Sequence, residues 1–272
     1  MKIIGIGDNV VDYYKHQGLI YPGGNALNVA VIGKRNGAEK AAFLGIFGND
    51  VPSNHVISCL EEEKIDISRS RHAIGECGEA TISIEDGDRV FIGSNRRTRI
   101  ESLLRINLQE DDLEYINEFD IVHTSINSKV ETELEKISHK AISYDFSDKR
   151  KWDKEIIENI APHITYAFFS GSDLEEEEIL SLIDFVQQFD VHVVGVTRGE
   201  KTAIFSIEGE IYKQDPLPTK LIDTMGAGDS FIAGFLTSYG ESCDPKLALR
   251  KAAESASTTC GHYGAIGYPK EK

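Results

Sequence analysis

The sequence predicts an α/β protein: a mostly parallel sheet with helices on both faces. Three observations carry this. Short apolar runs alternate with helix-like segments along most of the 272 residues. One stretch, residues 79–93, breaks that alternation and reads as a hairpin. Late in the chain, the glycine-flanked turn Gly226-Ala227-Gly228 runs into Asp229 and an apolar helix.

The elements follow in order. Residues 2–7 form a short apolar run suited to a buried strand, which Val10 and Val11 continue and Asp12 ends. A polar-aromatic patch covers 13–21, and Gly23-Gly24-Asn25 then opens a helix over 26–36 that Gly37 stops. A strand over 41–47 and a helix over 53–64 come next. Alternating segments at 81–84 and 89–92 flank Asp86-Gly87, a strong hairpin signal. Strands are expected at 121–123, 141–146, 166–169 and 191–196, with helices over 130–140, 154–159 and 175–189 between them. A second hairpin turns at Gly209, and helices over 230–239 and 246–259 follow. No repeat, linker or low-complexity stretch divides residues 1–272, which reads as a single domain.

Lys and Arg number 29 against 45 Asp and Glu, a formal charge of −16. That balance argues against nucleic acid or an anionic membrane as partner. The four cysteines include no C-x-x-C pair, so neither a zinc site nor a redox motif is expected. No leader-like or membrane-spanning run is seen, and a reducing cytoplasm is the expected location.

Two nucleotide motifs fail. Residues 5–10 begin like a dinucleotide fingerprint but lack its third glycine, and Asp8 would face a pyrophosphate. Residues 195–202 are one residue from a P-loop, but Glu200 replaces the required glycine and a strand-like run follows. The turn at 226–229 is different. Backbone amides at a helix start are unpaired and attract anions, and glycine lets a phosphate approach closely. A carboxylate there would repel phosphate unless it takes a proton from an attacking hydroxyl. Taken alone, Asp229 reads better as a helix cap.

The segments YPGGNALNVA at 21–30 and IDTMGAGDSFIAGF at 222–235 together resemble the two signatures of the ribokinase-like (phosphofructokinase-B type) carbohydrate kinases. The resemblance spans nearly the whole chain in the expected order. It implies a three-layer α/β/α sandwich with a small β-sheet lid, here about 12–22 and 74–98. It also implies Asp229 as catalytic base and Gly226, Ala227 and Gly228 as an anion hole. Substrate contacts would come from Asp12, Gly23, Gly24 and Asn28, and from Arg89 on the lid hairpin. Thr197, Gly199 and Thr224 would line the nucleotide site. ATP and Mg2+ are implied, but the family's N-x-x-E segment is blurred here, leaving Asp173 and Glu175 as metal candidates. Monovalent-ion activation stays open, as does a homodimer through an exposed lid edge.

Residues 141–152, AISYDFSDKRKW, with the short GDNVVD opening, further resemble bacterial fructoselysine 6-kinases. Asp145 and Lys149 then become substrate residues, and the expected reaction is phosphorylation of the 6-hydroxyl of fructoselysine or a related fructosamine. The alternatives are a fructokinase- or ribokinase-type enzyme for another sugar or nucleoside, and a catalytically silent sugar-binding protein.

Overall fold

The computed structural model describes every residue except Asp86 and Gly87, and the side chains of residues 84–89 also lie outside the described set. The strands are β1 (Lys2–Gly7), β2 (Val10–Tyr14), β3 (Leu19–Gly23), β4 (Lys40–Phe47), β5 (Arg71–His72), β6 (Gly78–Glu85), β7 (Asp88–Ser94), β8 (Ile121–Ser125), β9 (Ala141–Asp148), β10 (Tyr166–Ser170), β11 (Val193–Arg198), β12 (Lys201–Ile207), β13 (Glu210–Gln214) and β14 (Lys270–Glu271). The helices are α1 (Asn25–Arg35), α2 (Val51–Glu62), α3 (Ile100–Leu103), α4 (Glu110–Ile116), α5 (Leu134–Ile137), α6 (Lys154–Ile160), α7 (Glu176–Gln187), α8 (Ala227–Ser242) and α9 (Pro245–Thr259).

Among the described residues the main sheet has nine strands, ordered β13-β12-β11-β10-β9-β8-β1-β4-β5. From β11 to β5 every pairing is parallel, while β12 and β13 add an antiparallel edge. Alternation of side chains along each strand splits the core into two. Ile3 and Phe168 join Phe205 and Phe235 on the face covered by α1, α8 and α9. Their sequence neighbours Ile4 and Phe169 join Val122, Ile157 and Ile183 on the opposite face, beneath α6 and α7. The result is the expected three-layer sandwich, and the parallel strands deliver their C-terminal ends to one edge, where open α/β sheets bind ligands.

A second sheet of five strands runs β14-β3-β2-β6-β7. It shows that the first apolar run is two strands. The chain leaves the main sheet after Gly7, whose φ of 146° turns it away, and Val10, Val11 and Asp12 belong to β2 of the smaller sheet. Asp12 therefore sits inside a strand rather than ending one. Asn9 anchors the crossover by donating from Nδ2 to the Ile46 carbonyl at 3.0 Å. The predicted 130–140 helix is reduced to a 3-10 turn and α5, because the chain must enter β9 at Ala141. The elements α3, α4, β5 and β14 stand outside the expected set, while β3 falls largely within the 12–22 stretch expected in the lid.

Candidate active site

Helix α8 starts at Gly226, which caps it in the left-handed conformation with φ 73°. A Cβ there would stand 2.3 Å from the Cβ of Ala265, so only glycine fits. The Gly226→Ala variant is expected to lose about 1–3 kcal/mol of stability, read as a lower denaturant midpoint. Among the described residues, the amides of Gly228 and Asp229 have no backbone acceptor, at the positive end of a 16-residue helix. It is pinned from behind by Asp223, whose Oδ1 accepts from the Met225 amide at 3.1 Å and whose Oδ2 accepts from the Gly264 amide at 3.0 Å. Tyr14 of the smaller sheet donates its hydroxyl to the same Oδ2.

Beside this turn lies a cleft of about 590 Å3, within the size range of nucleotide pockets. Ala227 and Gly228 form one side, and Thr197, Gly199 and Thr224 also line it. Leu217, Phe231 and Ala253 give it an apolar part. All three residues expected at a nucleotide site thus meet at one cleft, next to two of the three anion-hole residues.

Asp229 faces the opposite direction, toward α1. Asn25 donates from Nδ2 to Asp229 Oδ1 at 2.7 Å, and Asn28 donates to Oδ2 at 2.6 Å. The same Asn25 Nδ2 donates to Asp145 Oδ2 at 2.7 Å. Both amide hydrogens of Asn25 are therefore committed to carboxylates, and its Oδ1 must accept. It does so from His123 Nε2 at 2.8 Å. That fixes the imidazole tautomer: Nε2 carries the hydrogen, and Nδ1 accepts from the Ser143 hydroxyl at 2.9 Å. Burial drives the His123 pKa down to about 3, so the ring is neutral.

The two carboxylates respond in the opposite sense. Burial pushes Asp229 up to about 7, opposed by the Asn28 and Asn25 hydrogen bonds and reinforced by the charges of Asp145 and Asp8. Burial likewise raises Asp145 to about 6, with the Ser147 amide and Lys151 pulling it back. A carboxylate poised near neutrality is suited to accepting a proton and handing it on.

The expected sugar-side residues gather here, with differences. Asn28 holds Asp229, while its own Oδ1 is buried with no hydrogen-bond partner among the described residues. A substrate hydroxyl would satisfy it. Asp12 is buried on β2, and a Cβ on Gly23 would come within 2.6 Å of its Oδ2. Gly24 lets the chain pass close to the Asp8 carbonyl, 2.5 Å from where a Cβ would stand. Lys149 stays outside the cluster: it is exposed and pairs with Glu178 at 3.4 Å. Lys151, also exposed, donates to the Ser147 and Asn127 side chains. The side chain of Arg89 lies outside the described residues. Asp173 and Glu175 are exposed beside the α7 start.

Sequence reasoning missed Asn25, His123 and Asp8. Asp8 accepts from the Asn25 amide at 3.0 Å and from Ser128 Oγ at 2.8 Å, completing the cluster. Only Asn25, adjacent to the Gly23-Gly24 pair, carried a local signal.

A cleft of nucleotide size meets a buried carboxylate with a raised pKa across an amide-lined helix start, on a three-layer α/β/α frame. That combination defines a phosphotransferase of the small-molecule kinase class. The particular family is plain from comparison: the sequence model of the pfkB family carbohydrate kinases matches residues 3–272, and the chain belongs to that family. It is 46% identical to fructosamine kinase FrlD of Bacillus subtilis over 270 residues, covering 98% of this chain and 94% of that protein. It is 32% identical to the fructoselysine 6-kinase of Escherichia coli over 262 residues, covering 96% and 97%. In fold it is similar to a fructokinase with bound ATP from Xylella fastidiosa, with TM-score 0.81 and 17% identity over 98% of this chain and 94% of that one. A putative ribokinase II from E. coli, solved with ATP and Mg2+, matches at TM-score 0.78 and 20% identity over 97% and 94%.

Proposed function

We propose that this enzyme transfers the γ-phosphoryl group of ATP to the 6-hydroxyl of a fructosamine, a fructose joined through carbon 1 to an amine. The observation that carries the transfer chemistry is the position of Asp229. Its carboxylate is held by two asparagine amides on the sugar side, and its backbone belongs to the helix start facing the cleft. The fructosamine assignment draws support from the two relatives named for such substrates, which match nearly end to end.

In this reading the triphosphate lies along the cleft toward Gly228, and its γ-phosphoryl group meets the open amides. The sugar lies against Asp12, Gly23 and Asn28, with the smaller sheet as its cover. Asp229 accepts the hydroxyl proton as the oxygen attacks phosphorus in line. Magnesium supplies charge neutralisation on the β- and γ-phosphate oxygens when bound. Among the described residues no group of three or more His, Cys, Asp or Glu forms a metal cage. Supply of ATP favours a cytoplasmic location. Phe91 and Ile92, 59% and 44% exposed on the edge strand β7, favour a homodimer through the smaller sheet.

Coupled ADP release tests the substrate. With fructoselysine, fructose and ribose compared, kcat/KM for fructoselysine is expected to exceed that for plain fructose by at least about tenfold. Equal or better turnover of fructose would overturn the assignment.

A further inference from the structure

One buried titratable group beside Asp229 takes no direct part in phosphoryl transfer. His123 is fully buried. Its two ring nitrogens go to Ser143 and Asn25, so neither is left for a substrate. Three elements place it. On β8 it lies in register between Gly5 of β1 and Ser143 of β9. A Cβ on Gly5 would stand 2.1 Å from the Ala26 carbonyl oxygen, so glycine there lets the start of α1 press onto the sheet. That brings Asn25 to the ring.

The Asn25 side chain has two tasks for its nitrogen and one handle to hold it by. Its Nδ2 meets Asp145 Oδ2 and Asp229 Oδ1 at 2.7 Å each. A rotated amide would lose both contacts. The handle is Oδ1, buried with the rest of the residue and therefore in need of a donor. His123 Nε2 is that donor, at 2.8 Å. A lysine or arginine at this position would also donate, but it would set a positive charge beside two carboxylates. That charge would favour their ionised forms and make weaker bases of them. An imidazole kept neutral by burial donates without adding charge.

The groups that set the charge state of Asp229 come from other elements. Asp145 on β9 and Asp8, just past β1, oppose its ionisation, and Lys151 acts on Asp145. Helix α1 contributes the uncharged amides of Asn25 and Asn28. Replacing His123 leaves all of these in the chain and removes only the donor to Asn25 Oδ1.

We propose that His123 is a positioning residue for phosphoryl transfer: a neutral imidazole that pins the Asn25 oxygen so that both amide hydrogens stay on Asp145 and Asp229. This role rests on the reading of Asp229 as the base.

The test follows the acidic limb of kcat/KM for fructoselysine by coupled ADP release, from about pH 5.5 to 9. In His123→Leu, which fills the site without a donor, the limb is expected to move up by about 0.5–1 pH unit. That is a loss of about three- to tenfold on the limb, restored in alkaline buffer. His123→Gln can offer an amide hydrogen near the place of Nε2 and should return most of the shift. In an Asn25→Ala background, His123→Leu should move the limb no further, because a residue that acts through Asn25 has nothing left to act on. Destabilisation alone scales the whole profile and leaves its midpoint in place. If the limb stays put in His123→Leu yet vanishes in Asp229→Asn, His123 serves only packing and the base stands. If the limb persists in Asp229→Asn, the base reading falls and takes this role with it. Nitrogen-15 spectra of histidine-labelled wild-type enzyme, with His123 identified by its missing signals in His123→Gln, read the ring even where His123→Leu does not fold. A neutral ring with its hydrogen on Nε2 is expected across the same range. A ring that charges within it, or carries its hydrogen on Nδ1, overturns the proposal.

Discussion

Replacing Asp229 with asparagine is expected to lower kcat by about 10²–10⁴-fold while KM for ATP and sugar changes little. Asparagine keeps the volume and one acceptor for Asn25 or Asn28, so the pocket keeps its shape; what it cannot do is accept the hydroxyl proton. The pH profile supplies an independent check. A carboxyl with pKa about 7 is mostly protonated below that pH, and a protonated acid is no base. Wild-type kcat/KM should therefore fall about tenfold per pH unit below 7 and level off above it. The residual activity of Asp229→Asn should lack that limb. Near-normal turnover in the variant would reduce Asp229 to a helix cap.

Removing the Asn25 side chain is the second large effect. One amide joins two carboxylates and a histidine, so Asn25→Ala strands the His123 Nε2 hydrogen in a buried site and takes a donor from each aspartate. The expected cost is about 2–5 kcal/mol, seen as a Tm lower by about 5–15 °C. The catalytic signature separates this from simple destabilisation. The Asn25 hydrogen bond favours the ionised form of Asp229, so without it the pKa rises further. The acidic limb of the pH profile should move to higher pH, with activity at pH 7 down about tenfold and partly recovered in more alkaline buffer. An unmoved limb would show that Asn25 serves only packing.

The parallel sheet was legible because its strands carry apolar runs of the right length and its helices carry the right period. The break after Gly7 was not, since Val10 and Val11 extend the same apolar pattern and only a backbone angle separates the sheets. Two short helices, α3 and α4, give too few turns for a period to show. At the site, Asp229, Asn28, Asp12 and Asp145 each stand in a motif with its own chemistry; Asp229, Asn28 and Asp145 come together around Asn25, and Asp12 lies against Gly23. His123 gave no sign because it sits in the apolar run of β8, where a histidine reads as core. Asp8 gave no sign because its motif, a failed dinucleotide fingerprint, makes a carboxylate read as an obstacle rather than a site. The end of β9 carries an irregularity of its own. Phe168 pairs with Asp145 but Ser170 pairs with Asp148, so β9 holds one extra residue. Ser147 takes it up at φ 62°. Such a bulge is a local feature that no period count from the sequence could supply.

The hydroxyl of Tyr14 reaches from the smaller sheet to Asp223, the residue that braces the glycine turn. The smaller sheet and the glycine turn are consequently one mechanical unit, and neither can shift without disturbing the other through a single phenol.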